Sequence, residues 1–231
     1  MQESGGLLLA AGLDGGDSIV FRASSPALPQ YRKQILCRFV PCDIIQSDHG
    51  WGRDWMKTAS VMVVPYEESW KSAFEKIKRE IEAALGDLII GIEHVGSTSV
   101  EGLSAKPIID MDVIMKDYSV FDAIVSRLER IGYLHEGNLG IPDREAFQYL
   151  NKPHLQKHHL YVCPQESEEL RRHMVFRDYL RSHPEAVEKY SSVKETAAQL
   201  FPNNIDAYIA YKTPCIEELY QLCGLRAMQE S

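Results

Sequence analysis

Two short segments of the chain carry residue types that could bind a phosphate group and a metal ion. The first reads Gly96-Ser97-Thr98-Ser99 and follows an apolar run that predicts a buried strand. Small residues leave backbone N–H groups and hydroxyls accessible, so a loop of this kind can wrap around an anionic phosphate. These four residues are therefore candidate phosphate contacts.

The second segment is an apolar strand that contains Asp110 and Asp112. Because residues two apart lie on the same face of a strand, both carboxylates project together while the apolar neighbours fill the opposite face. Such hard oxygen ligands suit Mg²⁺ or Mn²⁺, and a bound metal could bridge to phosphates held by the loop. The sequence predicts Asp110 and Asp112 as metal ligands and as catalytic residues.

Several other polar residues could complete this site. His159 could act as a general base, because histidine titrates in the neutral range, or as a metal ligand. The cationic side chains of Lys106, Arg144, Arg177, Lys194 and Lys212 are candidate phosphate contacts, since Arg in particular binds phosphate through two donors. The predicted catalytic set is thus the two aspartates with His159.

Each of these predictions has a structural alternative. Residues 96–99 could be a tight turn without a ligand, and the two aspartates could lie at a solvated strand end. Lys106 could form an exposed ion pair with them, worth about 0–1 kcal/mol. Arg177, which shares a helix face with His173, could form a helix–helix salt bridge, and His94 could be a structural histidine that fixes the loop.

The apolar pattern predicts the elements that must position these residues. Apolar residues spaced for one helix face predict a helix over residues 69–85, which Gly86 ends. A second helix is predicted to start with a capping box formed by Ser119 and Asp122 and to end at Gly132. Strands are predicted at residues 61–64, 88–95, 107–115, 144–150 and 158–163, and further helices at residues 167–181, 184–200 and 205–223, with a break at Pro214.

This order of elements predicts an α/β (α+β) fold, with a mixed β-sheet backed by helices and a helical C-terminal third. Residues 1–55 show no helical period and are rich in Gly and Pro. We expect them to form a poorly structured N-terminal extension, or else a lid or partner-binding arm, and we expect residues 56–231 to form the domain.

Composition argues against several functional classes. The formal charge of −8 argues against a nucleic-acid partner, because such binding needs a concentrated basic face. The five cysteines include no C-x-x-C pair, which favours reduced thiols in the cytoplasm. No apolar run approaches the roughly 18 residues that a membrane helix needs, so we expect a soluble cytoplasmic protein.

The combined motifs resemble the GrpB-like family of the nucleotidyltransferase superfamily. The resemblance lies in residues 94–100, 102–107 and 171–180, together with Tyr208 and Lys212, and it extends over roughly residues 61–225. It implies a nucleotidyltransferase fold and an enzyme that binds a nucleotide or a phosphorylated metabolite and transfers a group to a small acceptor.

The sequence departs from the full nucleotidyltransferase pattern at one place. A third carboxylate is expected on a later strand, but the matching residues 158–162 offer His159 and Tyr161 instead. This substitution leaves open a second interpretation, in which the domain is a non-catalytic module that binds a phosphorylated metabolite.

Overall fold

The computed structural model describes residues 60–225, and these build a five-stranded mixed sheet with helices packed on it. The C-terminal third is helical, so the predicted fold class is confirmed. In chain order the elements are α1 (Ser69–Leu85), β1 (Gly91–Val95), β2 (Ile109–Met115), α2 (Phe121–Arg130), β3 (Tyr133–Gly137), β4 (Glu145–Tyr149), β5 (His158–Pro164), α3 (Glu168–Ser182), α4 (Pro184–Leu200) and α5 (Ile205–Leu222).

The strand order places the two aspartates inside the sheet. The order is β1-β2-β5-β4-β3, in which β2 runs parallel to β5 and antiparallel to β1. Strand β2, which carries Asp110 and Asp112, is therefore flanked on both sides by hydrogen-bonded neighbours. The side chains of β1 and β5 frame both carboxylates.

The predicted helix over residues 69–85 is confirmed as α1. Its buried residues are the predicted apolar stripe Trp70, Phe74, Ile77, Ile81 and Leu85. They pack onto the sheet face formed by Ile109, Met111, Val113 and Met115, the residues that alternate with the two aspartates. Burial of this stripe supplies the hydrophobic stabilisation of that layer.

The opposite sheet face is covered by α3. Ser167 caps the N-terminus of this helix, and its Oγ accepts a hydrogen bond of 3.3 Å from the backbone N–H of Leu170. Leu170 and Met174 pack on Ala146 and Tyr161 of the sheet. The polar face of β2 thus lies under α3 rather than in open solvent.

Two predicted helix features were wrong. Helix α5 runs unbroken from Ile205 to Leu222 with Pro214 inside it. Buried residues on both sides of the proline, including Tyr208 and Cys215, hold the helix against its neighbours, so tertiary packing outweighs the lost hydrogen bond.

Helix α2 has no side-chain cap. Instead Asp117 accepts a 2.8 Å hydrogen bond from the N–H of Ser119 and starts a short 3₁₀ turn before the helix.

The strand predictions also needed correction at two places. Residues 61–64 form no strand, and Val64 makes only a single bridge to Ala105. Strand β3 was not predicted, because only Tyr133 among its five residues is buried and its pairing with β4 is irregular near Gly137. An edge strand with one buried side chain lacks the alternation that predicts a strand.

The expectation for residues 1–55 lies outside the described residues. No helix among residues 60–225 has the length and apolarity that a membrane crossing would need.

Candidate functional site

Gly96 brings the predicted phosphate loop into direct contact with the aspartate strand. Its φ of 68° lies in the left-handed region that favours glycine, and a Cβ built there would lie 2.3 Å from Oδ2 of Asp110. The next residues form one 3₁₀ turn, Ser97–Ser99, in which Oγ of Ser99 donates a 2.6 Å hydrogen bond to the carbonyl of Gly96. The loop therefore wraps tightly against Asp110.

His94 fixes this loop from the other face of the sheet. Its ring stacks on Phe74 with centroids 4.6 Å apart, and its Nε2 lies 3.0 Å from Oγ1 of Thr98. Oγ1 of Thr98 in turn donates to the carbonyl of Ile108 at 3.3 Å. Burial lowers the pKa of His94 to about 3, and the charges of Arg181 and Arg177 act in the same direction. These contacts support the structural interpretation of His94.

Both aspartates are buried beside histidines. Oδ1 of Asp110 lies 2.7 Å from Nδ1 of His159, the residue directly opposite it on β5. Oδ2 of Asp112 lies 2.6 Å from Nδ1 of His173 on α3. Two of the predicted catalytic residues, Asp110 and His159, therefore form a dyad, and Asp112 forms a second dyad with a histidine that the sequence did not assign to the site.

The Asp112 dyad continues into α3. Nε2 of His173 lies 3.1 Å from Oε1 of Glu169, an ion-pair distance although the oxygen is not aligned to accept a hydrogen bond. Burial alone would raise the pKa of Glu169, but His173, Arg172 and Arg144 together hold it below its usual value. The contacts of His173 with Asp112 and Glu169 thus place one imidazole between two buried carboxylates.

Glu93 is a further acidic residue that the sequence analysis missed. It lies directly opposite Asp112 in the β1–β2 ladder, so the two side chains share a sheet face. Nη1 of Arg177 contacts its Oε2 at 2.6 Å. The pairing of antiparallel strands reveals this neighbour, whereas a single sequence gives no register.

Arg177 and Arg181 hold the two ends of the loop. Nη1 of Arg177 also donates to the carbonyl of His94 at 3.0 Å, just before the loop. Arg181, one turn later on α3, donates from Nε and Nη2 to the carbonyl of Ser99 at 3.1 and 2.8 Å. Arg177 therefore pairs with strand β1 and with Asp178 of its own helix rather than forming the helix–helix salt bridge that was the alternative, and a phosphate contact for it stays a prediction.

The other candidate cations are distributed around the site. Lys194 of α4 donates from Nζ to Oγ of Ser97 at 2.6 Å, which brings a buried ammonium to the loop. Arg144 is buried with its guanidinium 4.3 Å from the centre of the Tyr161 ring. Lys212 is buried in α5, with Nζ 4.9 Å from the centre of the Tyr208 ring. Lys106 is partly buried and forms no ion pair with either aspartate.

Comparison with known proteins identifies the family of the chain. A family model described as GrpB protein matches residues 60–222. The chain belongs to the GrpB family. The glutamate-rich protein GrpB of Alkalihalophilus pseudofirmus is 33% identical over 164 residues, which cover 69% of this chain and 93% of that protein.

Other GrpB relatives agree with this assignment. The UPF0157 protein YqkA of Bacillus subtilis is 33% identical over 157 residues, which cover 68% of this chain but only 45% of YqkA. The crystal structure of the conserved protein GrpB from Enterococcus faecalis superimposes with a TM-score of 0.63 at 32% identity, covering 70% of this chain and 96% of that one. The resemblance inferred from the motifs is confirmed at the level of the GrpB family.

The donor set of the GrpB site can be compared with what a divalent metal requires. Within residues 60–225, no three His, Cys, Asp or Glu side chains are arranged to hold a metal ion by themselves. Asp112 nevertheless keeps Oδ1 buried without a hydrogen bond, and Oδ2 of Asp110 lies against the loop. Mg²⁺ is commonly held by one or two carboxylates plus substrate phosphates, so these two residues fit a metal that arrives with a phosphate ligand.

Proposed function

We propose that this GrpB-family chain is a nucleotidyltransferase-like enzyme. It binds a nucleotide or a phosphorylated metabolite together with Mg²⁺ or Mn²⁺ and transfers a group to a small acceptor. The observation that carries the proposal is the contact between Gly96 and Asp110. This contact joins a loop that can bind phosphate to a carboxylate that can bind a metal.

The residues around the contact would have different roles in such a reaction. The hydroxyl of Ser97 and the ammonium of Lys194 would hold phosphate oxygens, because a charge-assisted contact favours an anion there. Asp110 and Asp112 would hold the metal ion, which when bound offsets negative charge on the phosphoryl oxygens. His159, with Nδ1 directed at Asp110, keeps Nε2 for a proton of the acceptor.

We place this activity in the cytoplasm. Cys163, Cys215 and Cys223 are free thiols in the structure, and thiols persist in that reducing compartment. Nucleotides and phosphorylated metabolites are the small molecules that this site would meet there.

A second candidate is a non-catalytic module that binds a phosphorylated metabolite. It is favoured by one specific observation, which is that His159 and Tyr161 stand opposite Asp110 and Asp112 on β5, where a third carboxylate would complete a catalytic site. In this version Asp110→Ala weakens binding, and no turnover exists for any donor.

A ligand screen with and without metal tests the enzyme proposal. Thermal unfolding is measured with nucleotides and phosphorylated metabolites, each in Mg²⁺, in Mn²⁺ and in EDTA. A ligand at about 100 times its Kd should stabilise the protein by about 2.7 kcal/mol. We expect this shift to require metal and to be lost in Asp112→Asn, whereas the exposed Asp122→Asn keeps it. Equal ligand affinity in Mg²⁺ and EDTA would contradict the metal-dependent version.

A further inference from the structure

Lys106 and Lys157 lie in the segments that lead into strands β2 and β5, Lys106 three residues before β2 and Lys157 directly before β5. The backbone N–H of Ile109 donates to the carbonyl of Lys157 at 2.9 Å, and Nε2 of Gln156 donates to the carbonyl of Pro107 at 2.7 Å. The two segments are therefore fixed against each other by hydrogen bonds. The position of both lysine residues is set by the sheet rather than by a loose loop.

This end of the sheet is also the end that carries the site. Thr98 of the loop reaches the carbonyl of Ile108, two residues after Lys106. Lys157 precedes His159 by two residues, and the ring of His159 contacts Asp110. The two lysines thus belong to the same edge as the loop and the Asp110–His159 dyad.

The charges of these lysines are not balanced by the protein around them. Neither ammonium makes a hydrogen bond or an ion pair among residues 60–225, although Lys71, Lys152 and Lys189 each contact a carboxylate. Both side chains are partly buried, and the charge of Lys106 acts on the Lys157 ammonium. A partly buried pair of like charges is unfavourable unless an anion joins it.

We propose that Lys106 and Lys157 form an anion subsite for a phosphate group of the substrate, separate from the contact between Ser97 and Lys194. Two ammonium groups match a dianion such as a phosphate monoester, and lysine binds phosphate as a point charge. The inference rests on the proposed function for the nature of the substrate. It adds that the substrates present phosphate at two places, one at the loop and one at the lysine pair.

The experiment measures binding of inorganic phosphate to the full chain by isothermal titration calorimetry. The variants are Lys157→Gln, Lys106→Gln and the control Lys116→Gln, which removes the same charge from an exposed lysine just beyond the other end of β2. We expect Lys157→Gln and Lys106→Gln to weaken one phosphate-binding event at least tenfold, which is about 1.4 kcal/mol. Lys116→Gln should bind as the wild type does, and Lys157→Arg should recover most of the loss.

A labelling experiment on the wild-type protein locates the phosphate directly. Lysines are acetylated with a limiting reagent, with and without phosphate, and the modified positions are read by mass spectrometry. We expect phosphate to protect Lys106 and Lys157 severalfold and to leave Lys116 unchanged. The labelling experiment tests the subsite even if Lys157→Gln does not fold, because it uses the wild-type protein. Absence of protection at both lysines would overturn the subsite.

Ser97→Ala separates this inference from the proposed function. If Ser97→Ala binds phosphate like the wild type while Lys157→Gln loses a site, the loop fails as a phosphate site and the lysine subsite stands. If Lys106→Gln and Lys157→Gln both bind phosphate like Lys116→Gln, the subsite is overturned whatever Ser97→Ala does.

Discussion

Nδ1 of His173 lies 2.6 Å from Oδ2 of Asp112, and both side chains are buried. The other ring nitrogen faces Glu169, so His173→Ala leaves two buried carboxylates without the group between them. Removing one partner of a buried pair typically costs about 3–5 kcal/mol. We expect a loss of that size in the free energy of unfolding, measured by urea denaturation.

Arg171→Ala is the matched control on the same helix. Arg171 pairs with Glu168 at 3.4 Å, and both side chains are exposed. Exposed pairs contribute about 0–1 kcal/mol, so this variant should be nearly as stable as the wild type. A similar small loss for His173→Ala would show that the Asp112–His173 contact does not stabilise the fold.

Gly96→Ala should damage both the fold and the site. The added Cβ would lie 2.3 Å from Oδ2 of Asp110, and the residue would have to keep a φ of 68°. The left-handed conformation alone costs about 1–3 kcal/mol for a residue other than glycine. We expect a loss of at least that size in urea denaturation and weaker ligand binding in the thermal-shift screen.

Gly91→Ala is the control for this substitution. A Cβ at Gly91 would meet nothing within 4 Å, and Gly91 starts the same strand that leads into the loop. Its stability should be equal to or slightly above that of the wild type. Gly96→Ala with the stability of Gly91→Ala would mean that the loop can move away from Asp110.

Phe74→Ala tests the packing of α1 on the sheet. Phe74 is buried in the main core and stacks on His94. Truncation of a buried Phe typically costs about 3–5 kcal/mol, because it removes apolar contact and leaves a cavity. Urea denaturation should show that loss, whereas Leu150→Ala at an exposed position should show almost none. A loss below about 1 kcal/mol for Phe74→Ala would mean that this face of α1 does not pack on the sheet.

His94 should make stability depend on pH on the acidic side. Burial lowers its pKa to about 3 in the folded protein, whereas a histidine in the unfolded chain titrates near 6.5. Between these values the unfolded state binds the extra proton, so stability falls as the pH falls, by up to about 1.4 kcal/mol per pH unit for one proton. His94→Gln should flatten the slope of unfolding free energy between about pH 6.5 and pH 4. An unchanged slope would show that His94 does not contribute to it.

Local patterns predicted the parts of the fold that depend on local physics. The apolar stripe of α1 and the alternation along β2 follow directly from the periods of helix and strand, and both are confirmed. The N-cap of α3 at Ser167 also follows from capping chemistry that a few residues specify. A loop close to Asp110 was expected, because a metal bound by the aspartates was predicted to bridge to phosphates held by that loop.

Contacts between distant segments were not predictable in this way. Asp112 and His173 are 61 residues apart, and only the packing of α3 on the polar sheet face brings them together. Lys157 was not among the site residues predicted from the sequence, because its closeness to Lys106 depends on the parallel pairing of β2 and β5. Such pairs need the strand order and register, which a single sequence does not contain.

Substitution of His159 distinguishes the enzyme proposal from the non-catalytic binding module. If its ring is the general base, His159→Ala should lower turnover by about 10² to 10⁴ while donor binding remains. The acidic limb of the wild-type pH–rate profile should disappear in the variant.

If the ring is instead a metal ligand, exchanging Mg²⁺ for Mn²⁺ or Zn²⁺ should change donor affinity strongly in the wild type and little in His159→Ala, because imidazole prefers transition metals. In the non-catalytic module, His159→Ala weakens binding and no donor is turned over. His154→Ala, at an exposed histidine, is the control for each readout. A His159→Ala variant with wild-type binding, metal response and turnover would exclude the Asp110–His159 dyad from the function.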